Sequence, residues 1–209
     1  VAEKLIFDIS QQTQSGAFIS VGELMPEAIA EIGKLTENRG SITGLATGFV
    51  DLDRLLNGLQ KSDLLILAAR PSIGKTAFAL NIMMNISTKL RVPTAIFSLE
   101  MGKEQLNRRL LCSYAQIPGH MVQRGMISNS DFSLLKQKAD ELATCPLYID
   151  DTPGISLMQL RSRARRLAAQ HPDLGLIVVD YLQLMSAGDK PSREQNRQQE
   201  VSEISRGLK

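Results

Sequence analysis

The residue pattern with the clearest chemistry is Gly74-Lys75-Thr76, which follows an apolar run at 64–69 and precedes a helical pattern. A loop between a strand and a helix can bind phosphate, because backbone N–H groups and the positive end of the helix dipole face the anion. The lysine and the hydroxyl then reach the terminal phosphates and a magnesium ion. This order of residues predicts a nucleotide site.

The loop departs from the general phosphate-binding motif at one position. Ala69 stands five residues before Gly74, where that motif has a glycine. An alanine fits there if its φ stays negative. The residues that we expect to bind the phosphates are Ala69, Arg70, Pro71, Ser72, Ile73, Gly74, Lys75, Thr76 and Ala77.

Two carboxylates end apolar runs that are typical of buried strands. Asp180 ends the run LIVVD, and Glu100 ends AIFSLE. The carboxyl ends of parallel strands meet at one edge of a sheet, so both groups should lie near the loop. We expect Thr76 and Asp180 to support Mg²⁺. Glu100 would orient or deprotonate an attacking water, and the alternative is a solvated strand-end carboxylate.

A third polar residue follows the second of these runs. Gln183 stands three residues after Asp180 and could sense the γ-phosphate or relay its loss to a neighbouring loop. The alternative is an ordinary polar residue near a strand end. The candidate catalytic residues are therefore Glu100, Lys75 and Gln183.

Apolar runs alternate with helical patterns over most of the chain. The runs cover 64–69, 94–100, 147–151 and 174–185, and the helical patterns cover 76–89, 102–115, 130–144 and 156–170. This alternation predicts an α/β fold with a mostly parallel sheet flanked by helices. Helical patterns at 3–12 and 21–38 belong to no such unit. We interpret 1–40 as a linker helix and arm, or else as part of the same domain, and 41–209 as the core.

Composition narrows the function classes only slightly. The net charge is +2, from 24 basic and 22 acidic side chains, so bulk charge neither demands nor excludes a nucleic acid. Two cysteines are too few and too far apart for a metal knuckle or a disulfide framework. The apolar runs are too short to cross a bilayer, and the N-terminus has no signal-peptide pattern. We expect an intracellular protein without a membrane partner.

Several segments together resemble one family. The segments TGFVDLDRLLNGLQKSDLLILAARPSIGKTAFALN, IFSLEM and LIVVDYLQLM are similar to the ATPase core of the DnaB-type replicative DNA helicases. The form ARPSIGKT, with alanine in place of the first glycine, is typical of that family. The resemblance covers roughly 40–209, and it implies a RecA-like P-loop NTPase core. Residues 1–20 resemble the family's linker helix, which docks onto an adjacent subunit.

The resemblance also implies an activity and its partners. It implies a homo-hexameric ring that encircles single-stranded DNA and separates the duplex with ATP and Mg²⁺. Primase and a helicase loader would be partners of the full-length protein in the bacterial cytoplasm. Loops after the Asp180 strand face the ring channel in such folds, so Lys190, Arg193 and Arg197 are candidate DNA-phosphate contacts. Arginines at 161, 163, 165 and 166 could contact phosphate, be solvated or pair at an interface.

In that family the core continues beyond the position of Lys209. The further part includes a strand, DNA-contacting loops and an arginine that reaches the neighbour's γ-phosphate. We therefore expect the 209-residue chain by itself to be a weak or inactive ATPase, with an unpaired sheet edge. The alternatives are another RecA-like ATPase, of the recombinase or clock type, and a nucleotide-binding fragment without productive turnover.

Overall fold

The computed structural model describes residues 19–37, 42–70, 72–185 and 204–208, and the chain divides into the units Val1–Ser41 and Ile42–Lys209. In the first unit, helix α1 spans Val21–Glu37, which confirms the helical pattern in this region. Four of its apolar residues, Val21, Leu24, Ile29 and Ile32, are exposed. The helix predicted at 3–12 lies outside the described residues.

The second unit is built on a parallel sheet. Strand β1 (Thr94–Ser98) lies at its centre, between β2 (Leu147–Asp150) and β3 (Leu176–Asp180). The register places Ser98 opposite Asp180. All five residues of β1 are buried, because a central parallel strand has neighbours at both edges and is covered on both faces. The predicted parallel α/β arrangement is confirmed for these three runs.

The helices follow the predicted alternation, with two additions. In chain order they are α2 (Val50–Leu56), α3 (Lys75–Asn85), α4 (Lys103–Ala115), α5 (Gly119–Gln123), α6 (Asn129–Ala143) and α7 (Leu157–Gln170). Helix α3 continues into a π-helical turn at Ile86–Leu90, and residues 204–208 are also helical. The short helices α2 and α5 were not predicted. Within the described residues, none of these helices combines the length and apolar content that crossing a bilayer requires.

Alternate side chains of β1 point into two apolar layers. Ile96 packs in a cluster with Leu80 and Met83 of α3 and with residues of α4. Phe97, on the other face, packs with Leu160 of α7 and with Ile155, Met185 and Ile204. The sheet is therefore covered by α3 and α4 on one face and by α7 on the other, a layered α/β arrangement.

The run at 64–69 does not form the buried strand that its composition predicts. Its large side chains, Leu64 to Leu67, are 38–71% exposed, and no backbone hydrogen bond joins 64–69 to another described residue. A strand needs a partner for its backbone groups as well as apolar side chains. The prediction of a strand at 64–69 was therefore wrong, because these residues have no pairing partner among the described residues. Among the described residues the outer edge of β3 is unpaired, and Ile177 there is 39% exposed.

A buried carboxylate joins the segment before the loop to helix α3. Asp53 accepts hydrogen bonds from the amide and the hydroxyl of Thr47, both at 2.7 Å, and from the amide of Gly48 at 3.1 Å. The Thr47 carbonyl in turn accepts from Asn85 Nδ2 at 3.1 Å. Gly48 has a φ of 84°, and a Cβ there would meet the Asn85 side chain. These contacts anchor the C-terminal end of α3.

Replacing Asp53 with alanine should leave three donors without their partner, two of them on the buried Thr47. We expect the free energy of unfolding to fall by about 2–4 kcal/mol, since each unpaired buried donor carries a desolvation penalty. Denaturant unfolding measures this loss. The matched control is Asp51→Ala on the same helix, whose side chain is 97% exposed and whose ion pair with Arg54 is a surface pair. That change should stay within about 0.5 kcal/mol. Equal losses for the two variants would contradict the role assigned to Asp53.

Because of the same carboxylate, we expect the free energy of unfolding to depend on pH. Burial pushes the pKa of Asp53 up, but the hydrogen bonds from Thr47 and Gly48 outweigh it, so the pKa is lowered overall. A lowered folded-state pKa contributes stability above the unfolded value of about 3.9, and this stability is lost as pH falls below it. The difference in unfolding free energy between the protein and Asp53→Asn should therefore shrink below about pH 4. A difference that grows on acidification would contradict this.

Candidate nucleotide site

The start of α3 is open to an anion. Gly74 precedes it with a φ of 107°, a Cβ there would meet no atom within 4 Å, and no side chain caps the helix. The first N–H groups of a helix have no partner within it, so these groups can bind an anion. Helices α6 and α7 differ, because Ser128 and Ser156 cap them in capping boxes. Ser72 also has a positive φ, at 65°.

Three of the predicted residues meet at the end of β3. The Thr76 hydroxyl donates to Asp180 Oδ2 at 2.6 Å, and Lys75 Nζ lies 3.3 Å from Asp180 Oδ1. Asp180 is only 4% exposed. A carboxylate buried to this degree needs charged or hydrogen-bonding partners, and the first turn of α3 supplies both. The strand end and the helix start are thus joined at the same point.

Glu100 lies at the same edge of the sheet. The amide of Leu99 donates to the Asp180 carbonyl at 2.7 Å, which brings the chain just before Glu100 alongside β3. The Ser98 hydroxyl donates to the Met101 carbonyl at 2.7 Å and closes a tight loop around Glu100. Glu100 itself is exposed, and no described side chain pairs with its carboxylate. Its position suits a group that faces a bound substrate or water.

The remaining predicted residues have different placements. Gln183 lies on the short 3-10 turn Leu182–Leu184 and is exposed. The other described loop residues are exposed as well: Ala69, Arg70, Ser72, Ile73, Gly74 and Ala77. Pro71, Lys190, Arg193 and Arg197 lie outside the described residues.

The donor set fits a nucleotide phosphate with magnesium. An ammonium and a row of free N–H groups suit phosphate oxygens, and a threonine hydroxyl beside a carboxylate suits Mg²⁺, which prefers oxygen ligands and keeps waters and phosphates around it. The arrangement can bind the phosphates of a nucleoside triphosphate. Glu100 adds a carboxylate at the same edge that can accept a proton.

A family model provides the deciding comparison. The model described as the DnaB-like helicase C terminal domain matches residues 44–209. The chain belongs to this family. The matched region contains the loop, Glu100 and Asp180, and therefore the whole site described above.

Curated relatives agree with this assignment. The chain is 45% identical over 208 residues to the replicative DNA helicase DnaC of Bacillus subtilis (strain 168), and 47% identical over 208 residues to the replicative DNA helicase DnaB of Geobacillus stearothermophilus. Each alignment covers 100% of this chain and 45% of the relative. The chain therefore spans about half the length of these DnaB-like relatives.

Solved structures agree on the fold. The ATPase domain of G40P superposes with a TM-score of 0.78 at 28% identity, covering 90% of this chain and 69% of that one. A structure described as a DnaB-like replicative helicase and its interactions with primase superposes with a TM-score of 0.77 at 29% identity, covering 99% and 49%. The RecA-like α/β expectation is confirmed.

Sequence reasoning missed two residues of this DnaB-like site. The ring of Tyr181 lies under Lys75 Nζ, 4.4 Å from the ammonium, and Ser98 shapes the loop that carries Glu100. Tyr181 directly follows Asp180, and Ser98 stands two positions before Glu100. No spacing rule marks a serine or a tyrosine for such contacts, since they depend on how the chain turns after each strand.

One of the α7 arginines makes a structural contact with the end of a strand. Arg163 Nη1 donates to both oxygens of Asp150, at 2.9 and 2.6 Å, and to the Thr152 hydroxyl at 2.6 Å. Burial raises the pKa of Asp150, but the hydrogen bonds from Arg163 and Thr152 outweigh it, so the pKa is lowered overall. Arg161, Arg165 and Arg166 are exposed. Arg163 therefore joins α7 to the end of β2.

Replacing Arg163 with alanine should weaken the contact between α7 and β2. We expect a loss of about 1–2 kcal/mol in unfolding free energy, because Asp150 would lose a charged donor at a partly exposed position. Arg161→Ala is the control, since Arg161 is exposed and makes no ion pair among the described residues. That change should stay within about 0.5 kcal/mol. Thermal or denaturant unfolding checks both, and indistinguishable variants would rule out a structural role for the Arg163 pair.

Proposed function

We propose that this chain is the ATPase motor of a replicative DNA helicase, which hydrolyses ATP to move along single-stranded DNA. The observation that carries the proposal is the meeting of Lys75, Thr76 and Asp180 at the open start of α3. Membership of the DnaB-like family favours a helicase over a recombinase or a clock-type ATPase. A nucleotide-binding fragment without turnover is less favoured, because Glu100 stands at the same edge.

Each residue has a role in the proposal. Lys75 and the free N–H groups of α3 would bind the phosphates, together with the loop from Ala69 to Ala77. Thr76 and Asp180 would hold Mg²⁺, which when bound neutralises phosphate charge. Glu100 would orient the attacking water and accept its proton. Gln183, on the turn after Asp180, would sense the terminal phosphate.

The proposal extends to partners and location. By likeness to the family, we infer a homo-hexamer joined through the N-terminal linker helix, with single-stranded DNA in its channel. A related structure is described as a DnaB-like replicative helicase and its interactions with primase, which supports primase as a partner here. A helicase loader and the bacterial cytoplasm complete the proposal.

Unwinding of a forked duplex by the full-length protein tests the motor. Lys75→Ala removes the ammonium at the phosphates and should abolish unwinding and reduce ATP binding. Glu100→Gln keeps the size and polarity of its side chain, so ATP binding should persist while turnover falls by about 100-fold or more. Full unwinding activity in Lys75→Ala, or unaltered turnover in Glu100→Gln, would contradict the assigned roles.

The salt dependence of DNA binding tests the segment after β3. Reversing the charges of Arg193 and Arg197 in the full-length protein should reduce the slope of log affinity against log salt. The expected reduction is about 0.7 for each phosphate contact that is lost. Charge reversal of Arg161 and Arg165 on α7 makes the same change in net charge and should leave the slope nearly intact. A slope in the Arg193 and Arg197 variant equal to that of the parent protein would mean that these two residues are merely solvated.

A further inference from the structure

The ammonium of Lys75 is held from two sides. Asp180 Oδ1 lies 3.3 Å from Nζ, and the face of the Tyr181 ring lies 4.4 Å from it. A lysine side chain has four rotatable bonds and loses much conformational entropy when its head group is fixed. A cation above an aromatic face is attracted to the ring quadrupole, so the ring limits where the ammonium can rest.

Asp180 alone does not define the direction of the ammonium. Its carboxylate is shared, with Oδ2 accepting the Thr76 hydroxyl at 2.6 Å and Oδ1 facing Lys75 at the longer distance of 3.3 Å. A single ion pair of that length leaves the ammonium free to swing around the oxygen. The ring of Tyr181 closes part of that range.

The position of Tyr181 is set by the backbone on both sides of it. The Asp180 carbonyl accepts from the Leu99 amide at 2.7 Å, which ties the residue before Tyr181 to the chain after β1. The Tyr181 carbonyl accepts from the Leu184 amide at 3.1 Å, which ties it to the turn that follows. The backbone at the end of the sheet therefore sets the position of the ring, and the Lys75 side chain extends over it.

The rest of the tyrosine side chain has no comparable task. Among the described residues Tyr181 belongs to none of the apolar core clusters, and its hydroxyl makes no hydrogen bond to a protein group. The ring face is thus the part of Tyr181 that contacts the site. A phenylalanine at this position should therefore keep the contact with Lys75, whereas an aliphatic side chain should lose it.

We propose that Tyr181 is a positioning residue for Lys75, whose ring holds the ammonium beside Asp180 and so prepares it to bind phosphate. The inference rests on the proposed nucleotide function of the site. It assigns to Tyr181 an effect that operates only through Lys75. Substitution of the ring should therefore matter in the presence of the lysine and have no effect in its absence.

A double-mutant cycle tests this dependence, with a non-hydrolysable ATP analogue and Mg²⁺ as the probe in calorimetry. Tyr181→Leu should weaken binding by about two- to tenfold, while Tyr181→Phe stays close to the parent protein. In a Lys75→Met background, Tyr181→Leu should cause no further loss. A loss of the same size in both backgrounds would overturn the proposal, because Tyr181 would then act independently of the lysine.

A second measurement does not depend on nucleotide binding. In the chain labelled with ¹³C-lysine, the Cε protons of Lys75 should be shifted upfield by the ring current, with Lys75→Met identifying the signal. The shift should persist in Tyr181→Phe and disappear in Tyr181→Leu. An unaltered signal in Tyr181→Leu would overturn the proposal even if the parent binds the analogue. A parent with the shift but without affinity would instead overturn the proposed function, and with it any role of Tyr181 in phosphate binding.

Discussion

The buried carboxylate of Asp180 is the interaction on which the site depends. It ends β3, and it pairs with two residues of the first turn of α3 that precede it by more than a hundred positions in sequence. Because the carboxylate is almost fully removed from water, its placement requires those partners. The same contacts hold the start of α3 over the sheet edge. The loop is thus positioned by the helix that follows it, although residues 64–69 pair with no strand in the described part of the chain.

Helix α3 is held at its other end by a second buried carboxylate. Asp53 orders the turn at Thr47 and Gly48, and Asn85 at the end of α3 donates to the carbonyl of that turn. Phe49 adds a ring contact to Phe78 at 4.8 Å. With both ends fixed, α3 presents its free N–H groups in a constant direction. Binding a phosphate then requires little reorganisation of the helix.

Much of this arrangement can be predicted from the sequence, and the predictions that were wrong or missing have physical causes. Buried strands such as 94–98 and helices such as 157–170 are long enough to show their periodicity, whereas α2 and α5, of seven and five residues, are not. The run at 64–69 has the composition of a buried strand, but composition does not report a pairing partner. Thr76 and Asp180 were predictable because motif spacing reflects their chemistry. Tyr181 was not, since its contact arises only from the turn after β3.

Met185 and Ile204 lie in one apolar cluster with Phe97 and Leu160. Gly207 makes the same region tight, because a Cβ at that position would meet the Leu157 side chain. The two residues that bracket positions 186–203 are therefore anchored to a common core. Burying Met185 and Ile204 together removes both side chains from water, so the turn at Leu182–Leu184 and the helical residues 204–208 draw on one shared apolar core for their stability.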